Sequence, residues 1–423
     1  MTTNNTPIKT HEREIFLDAL RGFAILGIFI ANLGSFSFFD ESAKISSAWI
    51  LEGWDNTMTF LHHMFIEGKF YTIFSLLFGW GIALQLKRGA EIGVNPVSTI
   101  RRRLYFMLLL GAMHLLIWMG DIVFFYALIG FILLLFRKFS NKTILITSVL
   151  LILSPIVLYG LKMLFPVLTF PTQILYQTGN TIREQLTEID GKVKRMEFMQ
   201  HAGWFDHLKR NMAGFFYRYG YLLFVSRIPK VLGMFLIGYL IGRTDFYKNV
   251  QQNKKIIYWV IGLGLLIGLP ANYQLAFYMS NFEDDYFDLK INGWFETIFY
   301  AIGVVPLALA YVGLLMMSFQ TTIGHKVLLL ISPVGKMAFT NYIFHSLIGN
   351  FVFLGAGMGY MGQIGTVYYT LFGFFIWIVQ IIGSTIWLKY FNFGPIEWVW
   401  RSLTYAKKQP MLKLKNYNEK TKL

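Results

Sequence analysis

Two ionisable residues lie in or beside apolar segments at a spacing that could support acid–base chemistry. His114 and Asp121 are seven residues apart, which is about two helical turns, so the two side chains can face the same way. An imidazole that titrates near neutral pH, with a carboxylate that fixes its tautomer, is the arrangement that a general base requires. His114 with Asp121 is therefore the leading catalytic candidate.

Other polar groups lie at a similar depth. Counted at about 1.5 Å per residue from the nearest cation, Asn32 and His114 lie roughly 16 Å into their segments, and His345 lies roughly 13 Å into its own. Ionisable groups at this depth cost about 2.5 to 3.5 kcal/mol each on insertion scales, so each one is a functional candidate. The predicted substrate-binding residues are His63, Glu67, Asn341, His345, Asp18 and Arg21. A packing role stays open for the histidines, and a mutual ion pair stays open for Asp18 with Arg21.

A run of three arginines, Arg101, Arg102 and Arg103, precedes the third apolar segment. Guanidinium groups bind phosphates well, although the same run could serve only to orient the chain in a membrane. The chain has no cysteine, so thiolate metal sites, iron–sulfur clusters and cysteine nucleophiles are excluded. His62, His63, Glu67 and Asp121 lack the HExxH-type spacing of a zinc site, and we predict no metal.

The elements that position these residues are predicted to be membrane helices. Of the 423 residues, 55% are apolar and only 14% are charged, against roughly 25% charged in a soluble domain. We predict an all-α, polytopic membrane protein with ten spans, each of about 20 mainly apolar residues. The predicted spans are 17–39, 62–86, 104–119, 122–136, 144–165, 219–241, 256–278, 293–317, 333–354 and 367–388.

The distribution of lysine and arginine predicts the orientation. Loops on the side of both termini hold 24 of these cations, and loops on the opposite side hold 8. Because cytoplasmic loops carry the excess of positive charge, both termini are predicted to be cytoplasmic. The first segment contains Asp18 and Arg21 and lacks a small-residue cleavage site, so it is predicted to remain in the mature protein.

Four regions are predicted along the chain: an N-terminal five-helix half (1–165), an outer segment (166–218), a C-terminal five-helix half (219–405) and a basic cytoplasmic tail (406–423). Within the outer segment, apolar residues recur at steps of three and four over 181–198, which predicts an amphipathic helix. That helix could lie on the outer leaflet or cover a cavity that opens outward. The lysine-rich tail is predicted to lie near anionic lipid.

Several short stretches resemble the YeiB-like bacterial membrane proteins, a family with a domain of unknown function, DUF418, in its C-terminal half. They cover most of the chain in order: 17–28 with Asn32, 74–79, 111–127, 335–342 and 393–405. The opening, Leu-Asp-Ala-Leu-Arg-Gly, is also similar to that of a wider group of transmembrane acyltransferases. That group includes the lysosomal enzyme that acetylates heparan glucosamine from cytosolic acetyl-CoA.

The resemblance implies an acyltransferase that moves an acyl group from a cytoplasmic acyl-CoA-type donor to a hydroxyl or amine at the outer face. In those enzymes an Asn and a His line a cavity through the membrane, and Asn32 matches the Asn by position. On this hypothesis His114 is the base, Asp121 orients it and Asn32 donates to the oxyanion. Arg101, Arg102 and Arg103 would bind the phosphates of the donor.

The alternative is a transporter for a small, anionic metabolite, in which the same polar groups bind without reacting. The expected location is a bacterial cell membrane. The expected partners are membrane lipids and a small-molecule substrate, with no nucleic acid, and a homodimer is left open.

Overall fold

The structure is a computed structural model that describes residues 10–38, 47–91, 95–187, 198–244 and 246–413. These residues form an all-helical protein without a named strand, in which one isolated antiparallel bridge joins Phe391 to Leu412. The α-helices are α1 Thr10–Ser37, α2 Glu52–Phe65, α3 Lys69–Glu91, α4 Val97–Ile117, α5 Val123–Leu133, α6 Asn141–Leu164, α7 Phe170–Thr187, α8 Trp204–Phe224, α9 Arg227–Thr244, α10 Lys254–Asn281, α11 Glu283–Phe287, α12 Ile291–Phe319, α13 Thr322–Lys336, α14 Ala338–Phe353, α15 Thr366–Tyr390 and α16 Pro395–Tyr405.

Six segments in the described ranges are long and apolar enough to cross a membrane, and the number rises to eight if two bent helix pairs each count as one span. Many large apolar side chains on these helices point outward, among them Leu371, Phe375 and Ile382 of α15. Such a surface suits lipid rather than water. The protein is therefore a multi-pass membrane protein, while the count of ten and the cytoplasmic termini stay predictions.

Three predicted spans run across helix breaks: 62–86 crosses from α2 to α3, and the other two contain a sharp bend. The segment 219–241 was predicted to be continuous, but α8 and α9 meet at an angle of 73°, with Ser226 between them at φ +51°. Pro229 lies in the first turn of α9 and, at this position, its ring would clash with the carbonyl of Val225 in a continuous helix. The segment 333–354 is likewise divided, because α13 and α14 meet at 74°.

The predicted third and fourth spans correspond to α4 and α5. Helix α4 covers most of the third, whereas α5 has 11 residues and continues into a 3₁₀ turn, Leu134–Lys138. At about 1.5 Å per residue, α5 alone is roughly 16 Å long and too short to cross a bilayer. Of the predicted amphipathic helix over 181–198, the first residues continue α7, and residues 188–197 lie outside the described ranges.

Close helix crossings fix the middle of the molecule around α1, which packs against α3, α13, α14 and α15. At the crossing of α1 with α13, a Cβ on Gly335 would overlap the carbonyl oxygen of Asp18, and one on Gly22 would overlap that of Ile331. Small residues allow backbones to approach this closely in a membrane bundle. Helix α1 is thereby held at the centre, where its side chains can line internal space.

Candidate functional site

A chain of three buried side chains joins α4, the turn after it, and α14. The Nδ1 atom of His114 lies 2.6 Å from Oδ2 of Asp121, and its Nε2 atom lies 2.8 Å from Oγ of Ser346. Each of the three residues is only 1% exposed. The carboxylate accepts a hydrogen bond, so the imidazole carries its proton on Nδ1. Nε2 is then free of a proton and accepts a hydrogen bond from the serine hydroxyl. The order of groups is that of a Ser–His–Asp triad.

The backbone around the triad holds it in place. His114 lies in the last turn of α4, and Asp121 follows in the turn that leads to α5. The second oxygen of Asp121 accepts a hydrogen bond from the backbone N–H of Phe124 at 2.7 Å, which caps the start of α5. The ring of Tyr342, one helical turn before Ser346, packs edge-on against the His114 ring at 5.1 Å between centroids.

Three cavities follow one another along α1, and we name them basal, central and distal. The basal cavity has Arg21 and Ile28 in its wall, the central cavity Ile28 and Asn32, and the distal cavity Asn32 and Phe36. From Arg21 to Phe36 the helix rises by about 22 Å, most of the roughly 30 Å of a hydrocarbon core. The volumes are about 240, 260 and 510 Å³ in that order.

Neighbouring cavities share walls. Ile28, Ile122 and Tyr342 border both the basal and the central cavity. The central and distal cavities have in common Asn32, Ser35, Gly120, Arg218 and Tyr221. A route across the bundle is therefore interrupted by few side chains, and Tyr342 is the one among them that also touches His114.

The basal cavity combines an apolar interior with a cationic mouth. Arg21, Arg103 and Lys336 are its lining cations. The guanidinium of Arg103 lies 4.1 Å from the centre of the Trp400 ring and donates to Gln85 Oε1 at 3.3 Å. The other two arginines of the predicted triplet, Arg101 and Arg102, are exposed and lie outside the wall of this cavity.

Glu397 of α16 also borders the basal cavity, but its carboxylate is already engaged. It accepts hydrogen bonds from the backbone N–H groups of Phe339 and Thr340 at 2.7 and 3.0 Å. These groups belong to the first turn of α14, so the carboxylate caps the half-helix that carries the site. Burial raises the pKa of the Glu397 carboxyl, although the hydrogen bonds from Thr340 and Phe339 oppose that change.

The central cavity is lined by charged and phenolic groups. Glu67 is the one carboxylate among the described residues of its wall, and Arg218 and Arg227 are its two cations. Arg227 begins α9, and Arg218 lies two turns before the break between α8 and α9. The uncharged polar residues of the wall are Asn32, Ser35, Tyr71, Tyr221 and Tyr342. The arginines were not among the residues predicted from the sequence.

The remaining predicted residues fall into two groups. Asn32 and Glu67 line cavities, and so does Arg21, which pairs with Asp18 across one turn of α1. The others line none of the three cavities described above. The carbonyl of His63 accepts from Lys69 Nζ at 2.6 Å, the amide of Asn341 donates to Ser384 Oγ at 3.1 Å, and His345 Nε2 lies 2.9 Å from Gln380 Oε1. His345 also stacks on Phe29 at 3.9 Å between ring centres, an arrangement that serves packing.

Ser346 is the member of the triad that the sequence-based prediction missed. It follows His345 directly, and a serine in an apolar helix carries no charge to attract attention. Its partner His114 is 232 residues away along the chain. The signal that could have found it is its register, one turn from Tyr342 and one turn from Asn350, on a helix face that borders the cavities.

Comparison with known proteins identifies relatives over the whole chain. The family model "Protein of unknown function (DUF418)" matches residues 241–407. The uncharacterized protein YxaH of Bacillus subtilis strain 168 is 31% identical over 96% of this chain and 98% of its own length. The uncharacterized protein YeiB of Escherichia coli K12 is 29% identical over 95% of this chain and 98% of its own length. No solved structure matches.

Proposed function

The chain belongs to the YeiB-like, DUF418-containing family of membrane proteins, and we propose that it is a membrane-embedded acyltransferase of the bacterial cell membrane. It takes an acyl group from an acyl-CoA-type donor on the cytoplasmic side and transfers it to a hydroxyl or amine at the outer face. The observation that carries this proposal is the hydrogen-bonded order of Ser346, His114 and Asp121. On unrelated folds the same order of groups catalyses acyl transfer.

The triad changes the role that the sequence suggested for His114. Its Nε2 atom faces the hydroxyl of Ser346, so the imidazole acts first on that serine and only afterwards on the acceptor. His114 takes the proton of Ser346, Oγ attacks the thioester carbonyl, the C–S bond breaks, and the proton leaves with the thiol. His114 then takes the acceptor's proton, the acceptor attacks the acyl-serine, and Ser346 regains a proton.

The basal cavity is the proposed donor site. Cytoplasmic termini, predicted from 24 cations against 8, would turn its mouth toward the cytoplasm. Arg21, Arg103 and Lys336 there supply charge for phosphate groups, and the apolar interior suits an acyl chain. This assignment keeps Arg103 as a donor-binding residue and replaces Arg101 and Arg102 by the other two cations.

Access to Ser346 requires a side chain to move, because the residue is 1% exposed. Tyr342 borders both the basal and the central cavity and packs against His114, so rotation of its ring is the simplest opening. Asn32, in the wall of the central and distal cavities, is the proposed amide donor to the oxyanion.

The test is acylation by the purified protein, with intact-mass detection of an acyl adduct after incubation with acetyl-CoA and longer acyl-CoAs. We expect the wild type to gain the mass of one acyl group and Ser346→Ala to gain none. Ser384→Ala is the matched control, because Ser384 is also a buried serine in a membrane helix, and among the described residues its hydroxyl accepts from the Asn341 amide and contacts no histidine. An adduct of equal yield on Ser346→Ala would remove the serine from the mechanism.

The continuous series of cavities also favours the alternative of a carrier for a small anion. Flux measurements in proteoliposomes separate the two. A carrier would move its substrate equally well when Ser346 is replaced by alanine. An acyltransferase would move nothing across the membrane when acyl-CoA is absent. Transport by a protein that binds no acyl-CoA would replace the enzyme by the carrier.

A further inference from the structure

The central cavity holds more positive than negative charge. Arg218 and Arg227 line it from the two sides of the break between α8 and α9, and Glu67 is the one carboxylate of its described wall. Unbalanced charge inside a membrane protein is costly unless a ligand neutralises it.

Arg227 is held by neutral groups. Its guanidinium donates to the hydroxyl of Tyr300 at 2.6 Å and lies 4.6 Å from the centre of the Tyr71 ring. In the described part of the chain, no carboxylate forms an ion pair with it. These contacts fix the direction of the guanidinium, and Glu67 is the one carboxylate in the described wall of this cavity that can balance either arginine, which leaves one positive charge in excess and favours an anion site.

Arg218 has weaker hydrogen bonding than Arg227 within the described ranges. Its one hydrogen bond within the described ranges is a long one, 3.3 Å, from a terminal nitrogen to the carbonyl of Gly120. Its Nε atom is buried and has no hydrogen-bond partner there. A buried donor without a partner costs about 1 to 3 kcal/mol, so an acceptor bound beside Arg218 would gain from satisfying this donor.

We propose that the central cavity binds an oxyanion, a phosphate or a carboxylate, between Arg218 and Arg227. Guanidinium groups match the planar arrangement of two such oxygens. Arg218 also borders the distal cavity, so the anion enters from that side. Resting on the proposed function, the anion is then part of the acceptor, a compound that carries a hydroxyl or amine beside its acidic group. The binding itself holds equally for a carrier.

The test is a binding measurement that needs no turnover. Glycerol 1-phosphate and glycerol form a charged and uncharged pair of probes, with succinate as the carboxylate probe, titrated calorimetrically into purified protein. We expect an oxyanion probe to bind and glycerol not to bind. Arg218→Gln should weaken binding about 10- to 150-fold, the range expected for one charge-assisted hydrogen bond. Arg218→Lys keeps the positive charge but loses the paired N–H donors of the guanidinium, so its affinity should lie between those of the wild type and Arg218→Gln.

Lys209→Gln is the matched control, because Lys209 lies on the same helix, is exposed and forms an ion pair with Asp206 outside the cavity. It should bind as the wild type does. A melting curve confirms that each variant is folded. Equal affinity of folded Arg218→Gln and wild type, binding of glycerol as tight as that of glycerol 1-phosphate, or failure of every anionic probe would overturn the proposal.

Two further arms identify the source of the anion and separate this proposal from acyl transfer. In nanodiscs, a lipid headgroup as the source predicts that phosphatidylglycerol competes with glycerol 1-phosphate and phosphatidylcholine does not. A soluble source predicts equal binding in both lipids. Ser346→Ala should bind the anion normally, so loss of acylation with retained binding would refute the enzyme alone. Acylation with a KM for a phosphate-bearing acceptor unchanged by Arg218→Gln would refute the anion site alone.

Discussion

Replacing Asp121 by asparagine tests the triad with little change of shape. The carboxylate accepts from His114 at 2.6 Å with one oxygen and from the Phe124 N–H at 2.7 Å with the other. An amide has one oxygen. If that oxygen stays on Phe124, the NH₂ group faces Nδ1 of His114, and the imidazole proton must move to Nε2. An imidazole in that tautomer cannot accept from Ser346.

The structure therefore predicts two separate losses. Turnover with acyl-CoA should fall about 10²- to 10⁴-fold, because the base is held in the wrong tautomer. The free energy of unfolding should fall by about 1.5 to 3 kcal/mol, because a hydrogen bond to a charged group is lost. Initial rates and a thermal melting curve measured on the same preparation give both numbers. His114→Ala should lower turnover further, because it removes the imidazole itself.

Asp55→Asn supplies the control for stability alone. Asp55 is fully buried and accepts from two backbone N–H groups, those of Leu51 and Val367, without touching the triad. It should lower the melting temperature by a similar amount and leave turnover per folded molecule unchanged. Wild-type turnover in Asp121→Asn would refute the reasoning, and so would an equal loss of turnover in both variants.

Three further changes test the fold. Glu397→Gln should lower the free energy of unfolding by about 1 kcal/mol, because it weakens the cap of α14. Glu91→Gln, at an exposed position, should leave it unchanged. Equal melting temperatures of the two variants would argue against the cap. Gly335→Ala should lower the free energy of unfolding by about 1 to 3 kcal/mol, because the new Cβ would overlap the Asp18 carbonyl. Gly262→Ala, with open space around its Cβ, should leave that free energy unchanged or raise it slightly. A Gly335→Ala variant as stable as the wild type would contradict the close crossing. In this cysteine-free chain, Asn281→Cys should react with an impermeant thiol reagent in intact cells and Thr321→Cys should not; the opposite labelling would invert the orientation.

Local spacing predicted part of the site and tertiary structure determined the rest. The interval of seven residues brought His114 and Asp121 to attention as two turns of one helix, but that premise was wrong, because α4 ends at Ile117 and Asp121 reaches His114 from the turn that follows. Ser346 comes from α14 and meets them only when the bundle closes, so no window along the chain contains it. Hydropathy predicted an unbroken helix over 219–241, because the two residues at the break, Val225 and Ser226, are apolar or small. The charge of Arg227 was not recognised as part of a cavity, because most of the other residues of that wall lie far away along the chain.

Tyr342 links the two proposals physically. A membrane protein that brought a cytoplasmic thioester and an outer acceptor into one open channel would leak ions, and water in that channel would hydrolyse an acyl-serine. Here Tyr342 lies with Ile28 and Ile122 between the basal and the central cavity, and within the described residues its oxygen accepts one hydrogen bond, from the Ile122 N–H at 3.2 Å. One such hydrogen bond contributes about 0.5 to 1.5 kcal/mol, so little free energy is needed to break it. Because the same ring packs against His114, the movement that we propose to admit a substrate to Ser346 would also change the surroundings of the base. Under this proposal, exposure of the nucleophile would be coupled to occupancy of the cavities beside it.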